Sequence, residues 1–443
     1  MNAVGEALGS LWFELPALAQ DLLVLAACLV PTLVAVLLAT RRYRVWPLVV
    51  ALLRRHRRVS ASCTALVAVS VALGIAVIAL ERGVRQSSAR AADPFDLIVA
   101  APGSDVTAML AAVYLQPADL PLLSPGVYAR LAAQEQVALA APLAFGDSVA
   151  GRALVGTTAR FVERLAGTPR EGRMFRDAAE AVVGAASGFR IGQRLHPAHG
   201  APGTGEADLH THVELVVTGV LAPSGTPWDR AVIVPIETLW IAHGLGDGHA
   251  ADEAGRIGAP FDAARMPGVS AVVVRARSLG GNYALRAAFT SGDSMAFFPG
   301  EVLARLHGLL SDVRRVLSGM ALVTAVLVVT AVVMALAILL AGLSRRFAML
   351  RALGAPRGFV FAVAWLHGLS MIVAGAVLGV PLGQLAAYGL GARFARESAV
   401  AVRPVLGIAD LSLVASFVLC GTLLVALPAW RLSGRRAVED LRV

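Results

Sequence analysis

Lysine is absent from all 443 residues, so every basic side chain is an arginine. Charge of either sign is scarce: 16% of residues are charged, where a soluble domain carries about a quarter. That deficit excludes a large, simply soluble protein, and the abundance of aliphatic residues excludes a disordered one. Only three cysteines occur, Cys28, Cys63 and Cys420, each in an apolar stretch and none in a CxxC or Cys/His spacing. A disulfide framework is therefore excluded, and the three read as small apolar residues of packed helices. Also missing are GxxxxGK[ST], GxSxG, HExxH and any GxGxxG in a strand–turn–helix setting. The chain lacks a nucleotide-hydrolysing apparatus and reads as non-catalytic; if it performs work, another subunit supplies the energy.

What is present is grease: 57% of residues are hydrophobic and the mean hydropathy is +0.70. Thirty-nine arginines against 30 acidic residues give a net charge of +9. A pI near 10.5 would suit a nucleic-acid partner, but the arginines flank apolar runs instead of forming a soluble basic face, so nucleic acid is not expected. Runs approaching or exceeding the roughly 20 residues needed to cross a bilayer occur at Leu22–Thr40, Ser62–Leu80, Leu317–Leu343, Phe359–Leu390 and Leu411–Trp430.

Arginine placement orients these spans. Arg41, Arg42, Arg44, Arg54, Arg55, Arg57 and Arg58 lie between the first two runs, Arg345, Arg346, Arg351 and Arg357 between the third and fourth, and Arg431, Arg435, Arg436 and Arg442 after the fifth. One topology puts all three groups in the cytoplasm: N-terminus outside, the long segment 83–315 outside, C-terminus inside. The first residues carry Glu6, Glu14 and Asp21 and no basic residue before Arg41, unlike the basic start of a cleaved signal peptide. The connection Val45–Leu53 is apolar but too short to span, and is expected along the cytoplasmic interface with membrane lipids.

The outside segment has a mixed α/β texture. Strands are expected at Asp96–Ala100, Ala153–Gly156, Ala181–Gly184, Val213–Leu221, Ala231–Pro235 and Ser270–Arg275, and helices at Pro125–Ala133, Ala159–Leu165 and Ile236–His243. The Gly/Pro-rich stretch His196–Asp208 and the stretch from about Gly244 to Gly268 read as loops. The expected fold is a membrane α-helical protein of about five transmembrane helices, with a large extracytoplasmic α/β domain inserted between the second and third spans. Residues 1–58 form an extra N-terminal span and interfacial linker, 59–83 the first core span, 84–315 the outside domain, and 316–443 a three-helix membrane domain with a cytoplasmic segment at 344–358 and a cytoplasmic tail. Gly375, Gly379 and Gly383 recur every four residues in the fourth run, a spacing that lets helices approach closely. Spans free of charged residues argue against ion translocation.

The segment Ser344–Gly358, SRRFAMLRALGAPRG, reads as a short basic amphipathic helix in which Phe347, Leu350 and Leu353 share a face and Gly354 with Pro356 ends it. It is either a positively charged membrane anchor or a docking helix for a cytoplasmic partner. The basic pair followed by AMLRALGAPR resembles the cytoplasmic loop of MacB/FtsX-like ABC transporter permeases. ERGVRQSSARAADPFDLIVAAPGS (Glu81–Ser104), PLAFGDSVAG (Pro142–Gly151), VTGVLAPSGTPWDRAVIVPIETLW (Val217–Trp240) and the terminal VEDLR extend the similarity over about residues 50–443. Two departures stand out: Arg346 sits where these permeases commonly carry an acidic residue, and the span Leu22–Thr40 adds to their usual four.

That resemblance implies a permease homodimer or pair in the bacterial inner membrane, bound to a dimer of separate ATPase subunits that supply ATP and Mg. It implies that nucleotide-driven closure is transmitted through the helices to the outside domain, with a periplasmic adaptor or binding protein among its partners. The substrate does not follow from the resemblance; export or extraction of a lipidic, peptide or metal-related one is the expectation. Arg346, Phe347, Met349, Leu350, Arg351, Leu353 and Gly354 would then couple the chain to the ATPase. An alternative of another class is a membrane-anchored periplasmic sensor or regulator of a metal or partner protein, without transport.

One cluster outside the spans looks like a site. His196, His199, His210 and His212 fall within 17 residues, with Glu206 and Asp208 between the pairs. Imidazoles suit Zn and other transition metals, and folding of the Gly/Pro loop would gather them; a solvated polar loop is the alternative. His243 and His249 are further candidate ligands. Met109, Tyr114 and Leu115 could offer an apolar surface to cargo, but read better as core.

Overall fold

The computed structural model describes residues 15–200, 208–209, 213–253, 255–398 and 400–434. Glu6 and Glu14, Glu206, His210 and His212, the side chain of Asp208, and the tail arginines Arg435, Arg436 and Arg442 lie outside the described residues. In chain order the helices and strands are α1 (Ala17–Arg42), α2 (Trp46–Arg55), α3 (Arg57–Ala92), β1 (Leu97–Ala100), α4 (Asp105–Tyr114), α5 (Pro125–Ala132), β2 (Val137–Val149), β3 (Arg152–Thr157) and α6 (Ala159–Ala166). Then come β4 (Glu171–Gly172), β5 (Glu180–Val183), β6 (Arg194–Leu195), β7 (Ala198–His199), β8 (Asp208–Leu209), β9 (Leu215–Val220), β10 (Val232–Pro235) and α7 (Ile236–Ala242). The chain closes with β11 (Ala271–Ala276), α8 (Leu279–Ala288), β12 (Met295–Phe297), α9 (Pro299–Gly342), α10 (Ser344–Ala352), α11 (Arg357–Ser398) and α12 (Ile408–Gly434). They divide into two compact units: Met1–Gly83 with Ser311–Gly391 and Arg403–Val443, and Val84–Leu310 with Ala392–Val402.

The first unit is helical. Among the described residues, five helices are long and apolar enough to cross a membrane: Ala17–Arg42, Arg57–Ala92, Leu322–Gly342, Arg357–Arg396 and Ile408–Gly434. A helix bonds all of its backbone internally, the form required where no water is present. In α11, Gly375, Gly379 and Gly383 form a flat strip against α3: a Cβ at Gly375 would lie 2.6 Å from Val67, at Gly379 2.7 Å from Val71, and at Gly383 2.8 Å from Ile75. The four-residue glycine spacing is therefore a close helix contact. α3 also holds α12, where the Arg82 guanidinium donates to both carboxylate oxygens of Asp410 at 2.6 and 2.9 Å. The Gly407 N–H donates to the same carboxylate at 2.7 Å. The segment 45–53, expected along the interface, is helix α2, and its Val49 and Leu52 are buried in the helical core with Val360 and Trp365.

The second unit is α/β. Its strands run in the order β12-β1-β11-β2-β3-β10-β5-β9-β4, with β6 on β9 and β7 on β2 and β8. The pairs β3/β10 and β5/β9 are parallel. β2 is its spine: Val137–Leu143 pair with β11, and Ala144–Val149 pair with β3. Phe95, Phe161 and Trp228 pack ring against ring in one core. Met109 is buried there and the Tyr114 hydroxyl donates to the Ser88 carbonyl, which supports the core reading of both. Residues 392–402, expected in the membrane domain, group instead with this unit. Arg230 donates to the carbonyls of Ala395 and Arg396 at 2.8 and 3.0 Å, and Ser87 to that of Ala401 at 2.8 Å.

Substituting the glycine strip tests the packing. Gly379→Ala places a methyl 2.8 Å from the Ala68 carbonyl oxygen, an overpacking expected to cost about 1–3 kcal/mol. The same change at Gly74, where a Cβ meets nothing within 4 Å, should be neutral or gain up to about 1 kcal/mol from helix propensity. Thermal unfolding of the two variants in detergent should shift in opposite directions from the parent, or Gly74→Ala not at all.

Candidate functional site

The α/β unit gathers chemistry at the join of β2, β7 and the end of α7. β2 advances three residues, Ala144 to Asp147, while β3 moves two, Gly156 to Leu154, which is a bulge. Gly146, at φ +141°, occupies the kink; bulges of this kind re-aim a side chain. The next residue, Asp147, pairs directly with His199 on β7. The Asp147 side chain is fully buried, while that of His199 is 62% exposed.

α7 brings the third group, and its seat is fixed on three sides. A Cβ at Gly156 would lie 2.7 Å from Leu239 and 3.1 Å from the Ile236 backbone, so only glycine lets the helix settle onto β3. Thr238 donates to the Ala178 carbonyl at 2.7 Å. Glu237 accepts from the Gly258 N–H at 2.6 Å and meets the buried His249 Nε2 at 3.3 Å, tying the irregular segment after α7 back onto the helix. His243 caps the C-terminus of α7. Its Nδ1 lies 2.8 Å from the Leu239 carbonyl, an oxygen that can only accept, so Nδ1 carries the proton and Nε2 presents its lone pair.

Three ligand-type atoms then converge. His199 Nδ1 is 3.2 Å from Asp147 Oδ1, His243 Nε2 is 3.3 Å from His199 Nδ1, and His243 Nε2 is 3.5 Å from Asp147 Oδ1. Of the four histidines singled out in the sequence, the structure brings His199 to this cluster. His196 instead turns its Nδ1 to the Val213 carbonyl at 3.3 Å, while His210 and His212 lie outside the described residues. The stretch read as a loop carries the β7/β8 pair at its ends, with His199 opposite Asp208 in register. His249 belongs to Glu237, not to the cluster. Burial pushes the Glu237 carboxyl above its ordinary value, against its bonds to Gly258 and His249.

The second candidate, the cytoplasmic segment, forms helix α10 over Ser344–Ala352, with Leu353 as its C-cap and Gly354 at φ +99° beyond it. Phe347 and Leu350 do pack together, into the helical unit's own core. Leu353 does not share their face: the helix stops short of it, and it is 86% exposed. The unit's outward side here is Arg345, Arg346, Met349 and Leu353, while Arg351 is half-buried.

A model of the MacB-like periplasmic core domain family matches residues 60–296, more than half of the chain. Two solved structures resemble it. The periplasmic region of MacB from Actinobacillus actinomycetemcomitans is 9% identical, with a TM-score of 0.30 over 48% of this chain and 95% of that one. The extracellular domain of the noncanonic ABC-type transporter YknZ from Gram-positive bacteria is 14% identical, with a TM-score of 0.28 over 45% of this chain and 98% of that one. Among curated proteins none matches.

The seat of α7 makes a pH-dependent prediction. His249→Leu removes one of the contacts that hold the Glu237 pKa down, so the folded-state value rises further above the ordinary 4.5. A carboxyl whose folded pKa is raised contributes stability below its unfolded pKa and loses it as pH climbs through the folded value. Stripping one partner from a buried pair costs about 3–5 kcal/mol when the other is charged. Denaturant unfolding of His249→Leu should therefore show a larger deficit against the parent at pH 8 than at pH 5.

Proposed function

The chain belongs to the MacB-like periplasmic core domain family, and from that premise we propose that it is the permease subunit of an ABC transporter, driven by separate ATPase subunits. The observation that carries this reading is the family's α/β domain set within a chain that also holds five helices apolar enough to cross a membrane. We read most of the α/β domain as inserted between the second and third of those helices. In this reading the α/β unit faces the periplasm, the five helices cross the bacterial inner membrane, and two copies pair over an ATPase dimer. In this reading the chain is a non-catalytic subunit: its sequence carries no GxxxxGK[ST] motif, and ATP chemistry is assigned to the partner.

Helix α10 supplies the coupling surface. Phe347 and Leu350 anchor it in the helical core, which leaves Met349 and Leu353 as apolar contacts and Arg345 and Arg346 as charged ones. Closure of the ATPase dimer moves α10, and the helices packed against it carry that displacement onward as a shift between two arrangements. Cargo is handled at the outer face, so the apolar spans need no conducting path.

Isolation of the tagged full-length chain from its native membranes tests this. An ABC ATPase should co-purify in stoichiometric amount and hydrolyse ATP. Leu353→Glu combined with Met349→Glu should remove it while the chain still reaches the membrane, because charge replaces exposed anchors of an interface. Absence of an ATPase from the parent isolate would favour the sensor reading, and an unchanged complex in the double variant would reduce α10 to an anchor.

A further inference from the structure

We propose that Asp147, His199 and His243 form a binding site for a transition-metal ion of the zinc class on the α/β unit. Each offers one ligand atom, and the three lie within 4.8 Å of one another. The donor set of two imidazoles and a carboxylate is one that zinc accepts with a fourth position left open.

The edges of the triangle, 3.2, 3.3 and 3.5 Å, carry the argument further than the residue types do. A tetrahedral ion with bonds of about 2.0–2.1 Å has donor–donor edges of about 3.3–3.4 Å. An octahedral ion with the same bonds would need cis edges of about 2.8–3.0 Å. The three atoms thus outline one face of a tetrahedron. The His243 ring is also oriented as ligating imidazoles usually are: its distal Nδ1–H donates to a backbone carbonyl, which fixes the tautomer and turns the Nε2 lone pair toward the other two donors.

Preorganisation points the same way. Asp147 holds a carboxylate with no exposed side-chain surface, aimed by a bulge and a left-handed glycine at two rings that arrive from separate elements. The rings themselves stay open to solvent, 62% exposed for His199 and 34% for His243. That exposure provides an entry route for an ion. The rival arrangement is a metal-free hydrogen bond, with His199 Nδ1–H donating to Asp147. The site does not rest on the permease reading, and a sensor would hold it equally well.

The test uses the full-length chain in detergent, with its affinity tag removed and metal stripped by a chelator. Titrated with Zn2+ alone, it should bind about one ion per chain. Titrated with Co2+, it should give the intense visible absorption of a four-coordinate site. His199→Ala and His243→Ala should each weaken zinc by more than about 100-fold, beyond the 10–100-fold typical of losing an outer-shell partner. His196→Ala should bind as the parent does. The proposal is overturned if the parent binds no stoichiometric zinc, if its cobalt spectrum is the weak one of an octahedral ion, or if His243→Ala retains full affinity. Equal loss in His196→Ala would also overturn it, by moving the metal to the histidine tract. Should a variant fail to fold, the cobalt spectrum of the parent decides by itself.

Discussion

Helices as apolar as these gain nothing from burying one another in a medium that is itself apolar, so their packing must come from close contact and from the few polar groups available. α3 has both. Its Val67, Val71 and Ile75 lie on the bare backbone of Gly375, Gly379 and Gly383, and its Arg82 grips Asp410 with two hydrogen bonds. One helix is thereby set in register against α11 and against α12. Trp365 adds a bond from α11 to the Thr422 carbonyl of α12 at 3.1 Å. Once this group is fixed, Phe347 has a defined pocket, and the outward side of α10 follows from it. The proposed coupling surface is a consequence of how the helices pack.

The α/β unit shows the same logic in water, with ordinary hydrophobic burial as the driving force. β2 passes from one set of pairings to another, and the bulge at that change turns Asp147 toward β7. Gly156 lets α7 lie close enough to β3 for its last turn to deliver His243. Each device is local and small, and together they bring three residues spread over 97 positions of sequence to hydrogen-bonding distance of one another.

Much of this was legible beforehand. Hydropathy located all five apolar helices, because long uncharged runs have few other uses. The strands rich in valine, such as β9 and β11, declared themselves by composition. β2 did not: VALAAPLAFGDSV mixes alanine, proline and glycine without alternation, since its two halves serve different neighbours. Helix α4 declares itself only as apolar residues, core or cargo surface, because DVTAMLAAVY is apolar nearly all round and shows no helical stripe. The histidine tract drew attention by density, yet density marked only one member of the cluster. His243 stood apart as a lesser candidate and Asp147 carried no signal, for their meeting depends on the β2/β7 register and on the seat of α7, neither of which periodicity encodes. Leu353 was placed with Phe347 and Leu350 by helical spacing, and it left that face because the helix ended one residue earlier.

The proposed permease function requires the α/β unit to face the periplasm and helix α10 the cytoplasm. Site-specific cysteine labelling tests it most directly, in a chain whose Cys28, Cys63 and Cys420 have been replaced. Single cysteines at Leu279, which is 75% exposed at the start of α8, and at Leu353, 86% exposed, would be treated with a membrane-impermeant maleimide on intact spheroplasts. The account predicts labelling of position 279 before permeabilisation and of position 353 only after it. Labelling of both positions from the same side would contradict it.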